Sequence, residues 1–349
     1  MGGPWGARSS AAGVDAVLAF EHLCDHGGMS SAVPTGQADP QWVRGGWGHT
    51  VRSQDEALRA VMRIVGVAPG RQYVWRGCVS SRRPVRSSLL QSLVVEESEP
   101  LPDETLVRGQ ELALLRSARA WGPGAGPHPQ ASDLELLAHL QRHGVPTRLV
   151  EVTRNPLTAL WFACARGDDE SGVLVALDVT DLPVHPTVDP QPHAGHEGRG
   201  WALRRALRRS AVLGQPFLVQ PTDPDRRTAA QEGLYLTGVV PRTEPVRGLD
   251  GLPLRPGTPP GKQKLADLFA EGRRRAGRPG RLPFCALVVP ADLKRTIRTH
   301  LTAVGRQRAV LFPDVDGFRD AVRDDDVDLH PTPPVLSPFD DALADEPAP

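Results

Sequence analysis

The stretch HGVPTRLVEVTRNPLTALWFACA, residues 143–165, constrains the fold most, because helix, strand and buried-helix patterns succeed one another within it. Just before it, LELLAHLQRHG places Leu134, Leu137, Ala138 and Leu140 at helical spacing, and Gly144 stands where helices commonly end. A helix is therefore predicted to stop at His143 and Gly144. RLVEV then alternates as a short strand would, and Thr153, Arg154, Asn155 and Pro156 supply a hydroxyl cap, a turn and a proline. The following run, LTALWFACA, is apolar nearly all round, so its helix is expected to be buried against a sheet. These elements bring His143, Thr147, Arg148, Glu151, Thr153 and Asn155 into one polar cluster.

Around this centre the chain alternates irregularly. Ser53 or Asp55 can cap a helix over EALRAVMRIVG, RQYVWRGCV reads as a strand ending in Arg-Gly, and SSLLQSLV as a short helix. A long helix is predicted over about 104–120, ending before Gly122. SGVLVALDV is a buried strand, and PFLVQPTD, GLYLTGVVP and FCALVVP are further strands. Residues 225–233 read as a polar connection that delivers Gln231 and Glu232 to the next strand. ADLKRTIRTHLTAVG is a helix ending at Gly305, and VLFPDVDGFRDAVRD an extended piece, a turn and a last helix. Strands and helices mix without regular βα alternation, which predicts an α+β fold: a single mixed-sheet domain over 41–324, flanked by helices. Residues 1–40 are expected to lie outside it, the start being left open between Met1 and Met29, and the acidic, proline-rich 325–349 to be disordered.

Composition narrows the function classes only a little. Lysine plus arginine and aspartate plus glutamate each number 41, so whole-chain charge offers no argument for a nucleic-acid or membrane partner. Arginine is nevertheless clustered at 199–209 (RGWALRRALRR) and 273–281 (RRRAGRPGR). Cys24, Cys78, Cys164 and Cys285 show no pair spacing of a zinc site or disulfide framework and read as reduced thiols. No run approaches the ~18 to 20 apolar residues of a membrane span, and no signal-peptide pattern opens the chain, so a soluble cytoplasmic protein is expected. Arginine-rich, lysine-poor usage resembles that of a high-GC bacterial genome. His185, His193 and His196 lie in a loop without an obvious fourth ligand, so no metal is expected, and neither GxxxxGK[ST] nor a strand-linked GxGxxG is present.

WRG at 75–77, HGVPTRLVEVTRNPLTALWFA at 143–163, QEGLYLTG at 231–238 and LFPDVDGF at 311–318 together resemble, in order and spacing, the FRG domain, named for its Phe-Arg-Gly motif. Two departures stand out: Val-Glu-Val-Thr replaces the family's Leu-Asp-Trp-Thr at 150–153, and Cys78 replaces the glutamine of Phe-Arg-Gly-Gln. The pattern is in turn distantly similar to the arginine-serine-glutamate class of ADP-ribosyltransferases, which implies an ADP-ribosyltransferase-like core, NAD as substrate, and a bacterial toxin or phage-defence setting. Arg76, Thr153 and Gln231-Glu232 are the matching positions, although Gly233 stands where that class has its second glutamate.

The resemblance assigns roles that each have a plainer alternative. Cleaving the nicotinamide–ribose bond needs a cation for pyrophosphate and a carboxylate near the ribose. Arg76 fits the first role, with Gly77 letting the ligand approach the backbone, but it can equally pair with Glu111 or Glu151. Thr147, Arg148 and Thr153 complete the expected cofactor-binding set, Thr153 as a bond to ribose or to the nicotinamide amide, or merely as a helix cap. Glu232 is a candidate to stabilise the ribosyl cation and Gln231 to bond a ribose hydroxyl; strand alternation lets only one of them face the cleft. Glu151 is the alternative carboxylate unless it pairs with Arg148, and His143 can act as acid, base or adenine stack unless it only caps its helix. Two other readings remain: a non-catalytic module binding nucleotide or nucleic acid, the latter through Arg204, Arg205, Arg208 and Arg209 beside Trp201, and metal-free phosphodiester hydrolysis by His143 and Glu151.

Overall fold

The computed structural model describes residues 40–95, 100–122, 126–188, 198–243, 246–255, 257–270, 281–324 and 327. The expectations for the N-terminal extension, Pro40 aside, and for the acidic tail, Val327 aside, fall outside the described residues. Eight strands make the sheet: β1 (Gly48–Thr50), β2 (Tyr73–Cys78), β3 (Val150–Thr153), β4 (Gly172–Asp178), β5 (Val184–Pro186), β6 (Phe217–Gln220), β7 (Gly233–Thr237) and β8 (Phe284–Val289). The helices among the described residues are α1 (Gln41–Arg44), α2 (Gln54–Val67), α3 (Ser88–Leu93), α4 (Glu104–Trp121), α5 (Asp133–Arg142), α6 (Pro156–Cys164), α7 (Trp201–Leu213), α8 (Arg226–Ala230), α9 (Lys262–Phe269), α10 (Ala291–Ala303), α11 (Arg308–Leu311) and α12 (Val315–Arg323). The fold is α+β, built on one mixed sheet in the order β1-β8-β4-β2-β3-β7-β6-β5.

Only the outermost pairs, β1 with β8 and β5 with β6, run parallel; every inner pair is antiparallel. The sheet is weakest at its middle. β2 pairs with β4 along all of Tyr73–Cys78, and β3 with β7 along all of Val150–Thr153, yet β2 and β3 meet at the single register pair Trp75 and Thr153. The next pairs in register would be Arg76 with Val152 and Gly77 with Glu151. Where that ladder lapses, Arg76 Nη1 donates to the Glu151 main-chain carbonyl at 2.7 Å. A side chain thus satisfies a backbone acceptor that the neighbouring strand leaves open.

Strand alternation sorts the core onto two faces. On one face of the β8-β4-β2 half, Tyr73, Trp75, Leu174, Ala176, Cys285 and Leu287 pack under α2, α6, α9 and α10. Phe217, Val219 and Tyr235 pack under α4, α5 and α7 in the other half. The opposite face is continuous, from Val74, Val173 and Val288 through Val150, Val152 and Leu236, beneath Trp42, Trp47 and Leu249. β3 crosses the boundary between the two helical covers, so Glu151 and Thr153 face a place where neither cover is complete.

Most predicted elements are present, with local corrections. Ser53, not Asp55, caps α2 by accepting from the Glu56 amide, and a full capping box joins Ser132 and Glu135 at the start of α5. Asn155 rather than Thr153 caps α6, its carboxamide accepting from the Leu157 and Thr158 amides. The connection at 225–233 contains the turn of helix α8, and of the extended piece predicted to open VLFPDVDGF, Val310 and Leu311 are instead the end of helix α11, while Phe312 lies beyond it with φ −126° and ψ 68°. Cys78, Cys164 and Cys285 are buried and form no disulfide with one another; burial pushes the Cys164 thiol up to about 12, which leaves it inert. Among the described residues no helix is long and apolar enough to cross a membrane.

Candidate functional site

A cleft opens on the helical face of β3 and β7, walled by the end of α5 and by α8. Arg142, Glu151, Arg227, Thr228, Gln231 and Tyr235 line it, and it encloses about 30 Å³ of free volume, room for roughly one or two waters. Each wall has a local cause. α5 ends where Gly144 adopts φ 77°, so Arg142 stands in its last turn. The strand period turns Glu151 to the same face as its cross-strand partner Tyr235. Asp225 caps α8 by accepting from the Thr228 amide, and this sets Arg227 and Thr228 at the rim.

Each charge of the cleft is held by neighbours. Gln141 Nε2 donates to Glu151 Oε1 at 3.3 Å, while Gln141 Oε1 accepts from Thr147 at 2.6 Å and from Ser88 at 3.2 Å. Glu151 is therefore oriented from behind by a fully buried amide. Arg227 forks onto Asp314 with bonds of 2.9 and 2.6 Å, and its guanidinium lies 4.9 Å from the Phe312 ring centroid. Arg142 pairs with Asp225 and stands 3.9 Å from Asp314. Burial alone would push the Asp314 carboxyl up, but the Arg227 fork and the Gly317 amide hold it below the usual carboxylate range. For a ligand anion to bind here, one arginine must exchange an aspartate for it.

Of the other residues singled out by sequence, only Gln231 lines this cleft. Gln231 reaches the cleft as the C-cap of α8, not from a strand, and its amide donates to the Leu311 carbonyl at 3.0 Å. Glu232, at φ 52° the one non-glycine with positive φ among the described residues, turns outward to accept from Asn155 Nδ2 at 2.6 Å and from Arg306 at 3.3 Å. Thr153 donates to the Gln231 carbonyl at 2.6 Å, which joins β3 to the α8 end. Arg148 is 3% exposed and engages Glu111, Glu104 at 3.1 Å and the Gly238 carbonyl at 3.1 Å. Thr147 is fully buried, and Arg76 serves the central seam. Gly77 admits α6 rather than a ligand, because a Cβ there would lie 1.8 Å from the Ala159 carbonyl oxygen. His143 is exposed at the C-cap of α5, its ring 4.6 Å from that of His139.

Sequence reasoning missed Arg142, Arg227 and their aspartates. Arg227 and Asp314 are separated by 87 positions, and nothing local announces the pairing. Among the described residues no group of three or more His, Cys, Asp or Glu could hold a metal ion. A roomier cavity of about 230 Å³ opens at the end of β4, lined by Asp178, Asp181, Arg255, Arg281, Leu254 and Phe284, and holds none of the residues discussed above.

Compared with known proteins, residues 71–172 match the FRG domain family model. The match takes in WRG and the 143–163 motif, whereas Gln231 and the 311–318 motif lie beyond it. It also stops before β7, the strand that pairs fully with β3. No curated protein and no solved structure matches the chain.

Proposed function

We propose that this protein, which carries an FRG domain at residues 71–172, binds an NAD-like dinucleotide over the cleft between α5, α8 and β7 and cleaves its nicotinamide–ribose bond. The carrying observation is the convergence of a half-buried, amide-oriented carboxylate, Glu151, with two guanidiniums, Arg142 and Arg227, on one cleft. Arg142 and Arg227 take the pyrophosphate in place of Asp225 and Asp314, and Thr228 and Gln231 offer hydrogen bonds to ribose. As the glycosidic bond breaks, its electron pair leaves with nicotinamide, and Glu151 stabilises the positive charge at the ribose carbon. A nucleic-acid or protein nucleophile, or water, then bonds to that carbon and releases its proton. The carboxylate role falls to Glu151 rather than Glu232, because Glu232 turns outward onto Asn155 and Arg306. A toxin or phage-defence setting belongs to the same proposal and rests on the family resemblance.

A second reading, a module that binds a nucleotide without reacting it, is favoured by the small free volume and by the aspartates already paired with both arginines. Calorimetric titration of the full chain with NAD, beside Glu151→Gln and Arg227→Gln, tests the shared step. Half-saturation near ~1 mM NAD, a binding energy of about −4 kcal/mol, is expected for the wild type and Glu151→Gln and a loss for Arg227→Gln. No heat from the wild type at that concentration refutes both readings.

A further inference from the structure

Helix α7 carries positive charge that no carboxylate among the described residues neutralises. Its inner residues Leu203, Ala206, Leu207 and Ser210 are buried, and the three apolar ones pack in the cluster with α5 and Phe217. On its outer side Arg204, Arg205, Arg208 and Arg209 are all exposed, and among the described residues none of them meets a carboxylate. The helix itself, WALRRALRRSAVL, contains no acidic residue. The contrast with other helices is direct: Arg298 of α10 forks onto Asp168 at 2.6 and 2.7 Å, and Arg227 of α8 onto Asp314.

Geometry makes the four arginines one surface. At 3.6 residues per turn they span an arc of roughly 140°, as two ridges, Arg204 with Arg208 and Arg205 with Arg209. Like charges at i, i+4 repel within each ridge, so their arrangement weakens the isolated helix and gains only from an anion outside it. Trp201 falls in the middle of that arc one turn earlier, partly exposed, with the Arg205 guanidinium 5.0 Å from its ring centroid. Burial, then the positive charge of Arg209 and Arg205, lowers the pKa of neighbouring His185, so the field of this face is felt by the groups around it.

We propose that α7 is a docking surface for single-stranded nucleic acid, whose successive phosphates meet the two arginine ridges and whose unstacked base meets Trp201. An aromatic centred in the arginine arc selects a single strand over a duplex, because bases inside a duplex are already stacked and present no face to Trp201. The surface is separate from the cleft: α7 begins beside the N-terminus of α5, where the Asp133 amide bonds the Arg199 carbonyl, while Arg142 closes α5 at its other end.

The test is fluorescence anisotropy of the full chain with a labelled oligothymidylate of ~16 nucleotides across ~50 to 200 mM salt. Four phosphate contacts to a single strand predict a slope of about −3 in log K against log salt, falling to about −1.5 in Arg204→Gln/Arg208→Gln and likewise in Arg205→Gln/Arg209→Gln. Trp201→Leu is expected to weaken binding about tenfold at unchanged slope. Circular dichroism confirms that each variant remains folded. No binding at ~50 mM salt, an unchanged slope in either double variant, unchanged affinity in Trp201→Leu, or equal binding of a duplex of the same length would each overturn the proposal. No dinucleotide enters this assay, so its outcome is independent of the cleft reading.

Discussion

Replacing Gly77 by alanine separates two explanations of the Trp-Arg-Gly motif. Gly77 is not among the glycines with positive φ, so alanine meets no backbone strain there, only sterics. The added methyl would stand 1.8 Å from the Ala159 oxygen and 2.6 Å from the Ala163 nitrogen, where ordinary contact begins at 3.4 Å. Both neighbours are main-chain atoms of α6, so no side chain can swing away, and the helix must retreat by about 1.6 Å. A gap of even ~1 Å forfeits up to half the dispersion energy of the contacts it opens, and Ala159, Ala163 and Trp75 all lie within this core. Overpacking of this kind costs about 3 kcal/mol at the upper end of its usual range, or a fall of roughly 5 °C in melting temperature for a domain of this size. Gly66→Ala is the control: it is exposed in α2, has nothing within 4 Å of its added Cβ, and is expected to stabilise by about 0.5 to 1 kcal/mol. Urea unfolding of both variants checks the pair. A Gly77→Ala protein within ~0.5 kcal/mol of wild type would refute the packing argument and return Gly77 to a ligand role.

Lys294 is fully buried and its ammonium donates to the Val79, Arg166 and Gly167 carbonyls at 2.7, 2.7 and 2.8 Å. Lys294→Met leaves three buried acceptors open and should cost about 3 to 5 kcal/mol in urea unfolding, more than any exposed lysine substitution. Arg148→Met takes one of its two arginines from the fully buried Glu111 carboxylate and leaves it only the more exposed Arg108, with an expected loss of about 3 kcal/mol, most of which Arg148→Met/Glu111→Leu should restore. Acid should destabilise the protein in two stages, readable as urea midpoints against pH. Burial, then His143 and Arg142, lowers the pKa of His139, so the unfolded chain takes up a proton the fold refuses, and stability falls as pH drops below about 6.5. Asp314 and Asp178 have lowered pKa values, so their contribution is complete above about pH 4 and is lost as pH falls through the folded-state values. His139→Gln should shrink the first stage, to which His143 and His185 contribute for the same reason, and leave the second.

The legible part of the sequence was the local part. Capping groups at Ser53, Ser132 and Asn155 and the uniformly apolar runs of α6, β4 and β8 act over a few residues, so periodicity and cap chemistry identify them. β1 and β5, of three residues each, are too short to show a period and exist only through pairing with β8 and β6. Glu151 was legible as a cleft residue because strand alternation fixes its face. The Trp-Arg-Gly motif was not, since its arginine bonds a carbonyl 75 positions away and its glycine accommodates α6. The Trp-Arg-Gly motif therefore marks packing at the central seam here, while the charges facing the cleft, Arg142 and Arg227, belong to none of the motifs read from the sequence.

The most direct test of the cleft reading is nicotinamide release from NAD by the full chain, wild type beside Glu151→Gln. The account predicts turnover by the wild type and a loss of at least about 10²-fold in Glu151→Gln, with NAD binding retained. Equal release by both proteins would contradict the role given to Glu151. Binding without release in either would leave the cleft as a recognition site and refute the chemistry proposed for it.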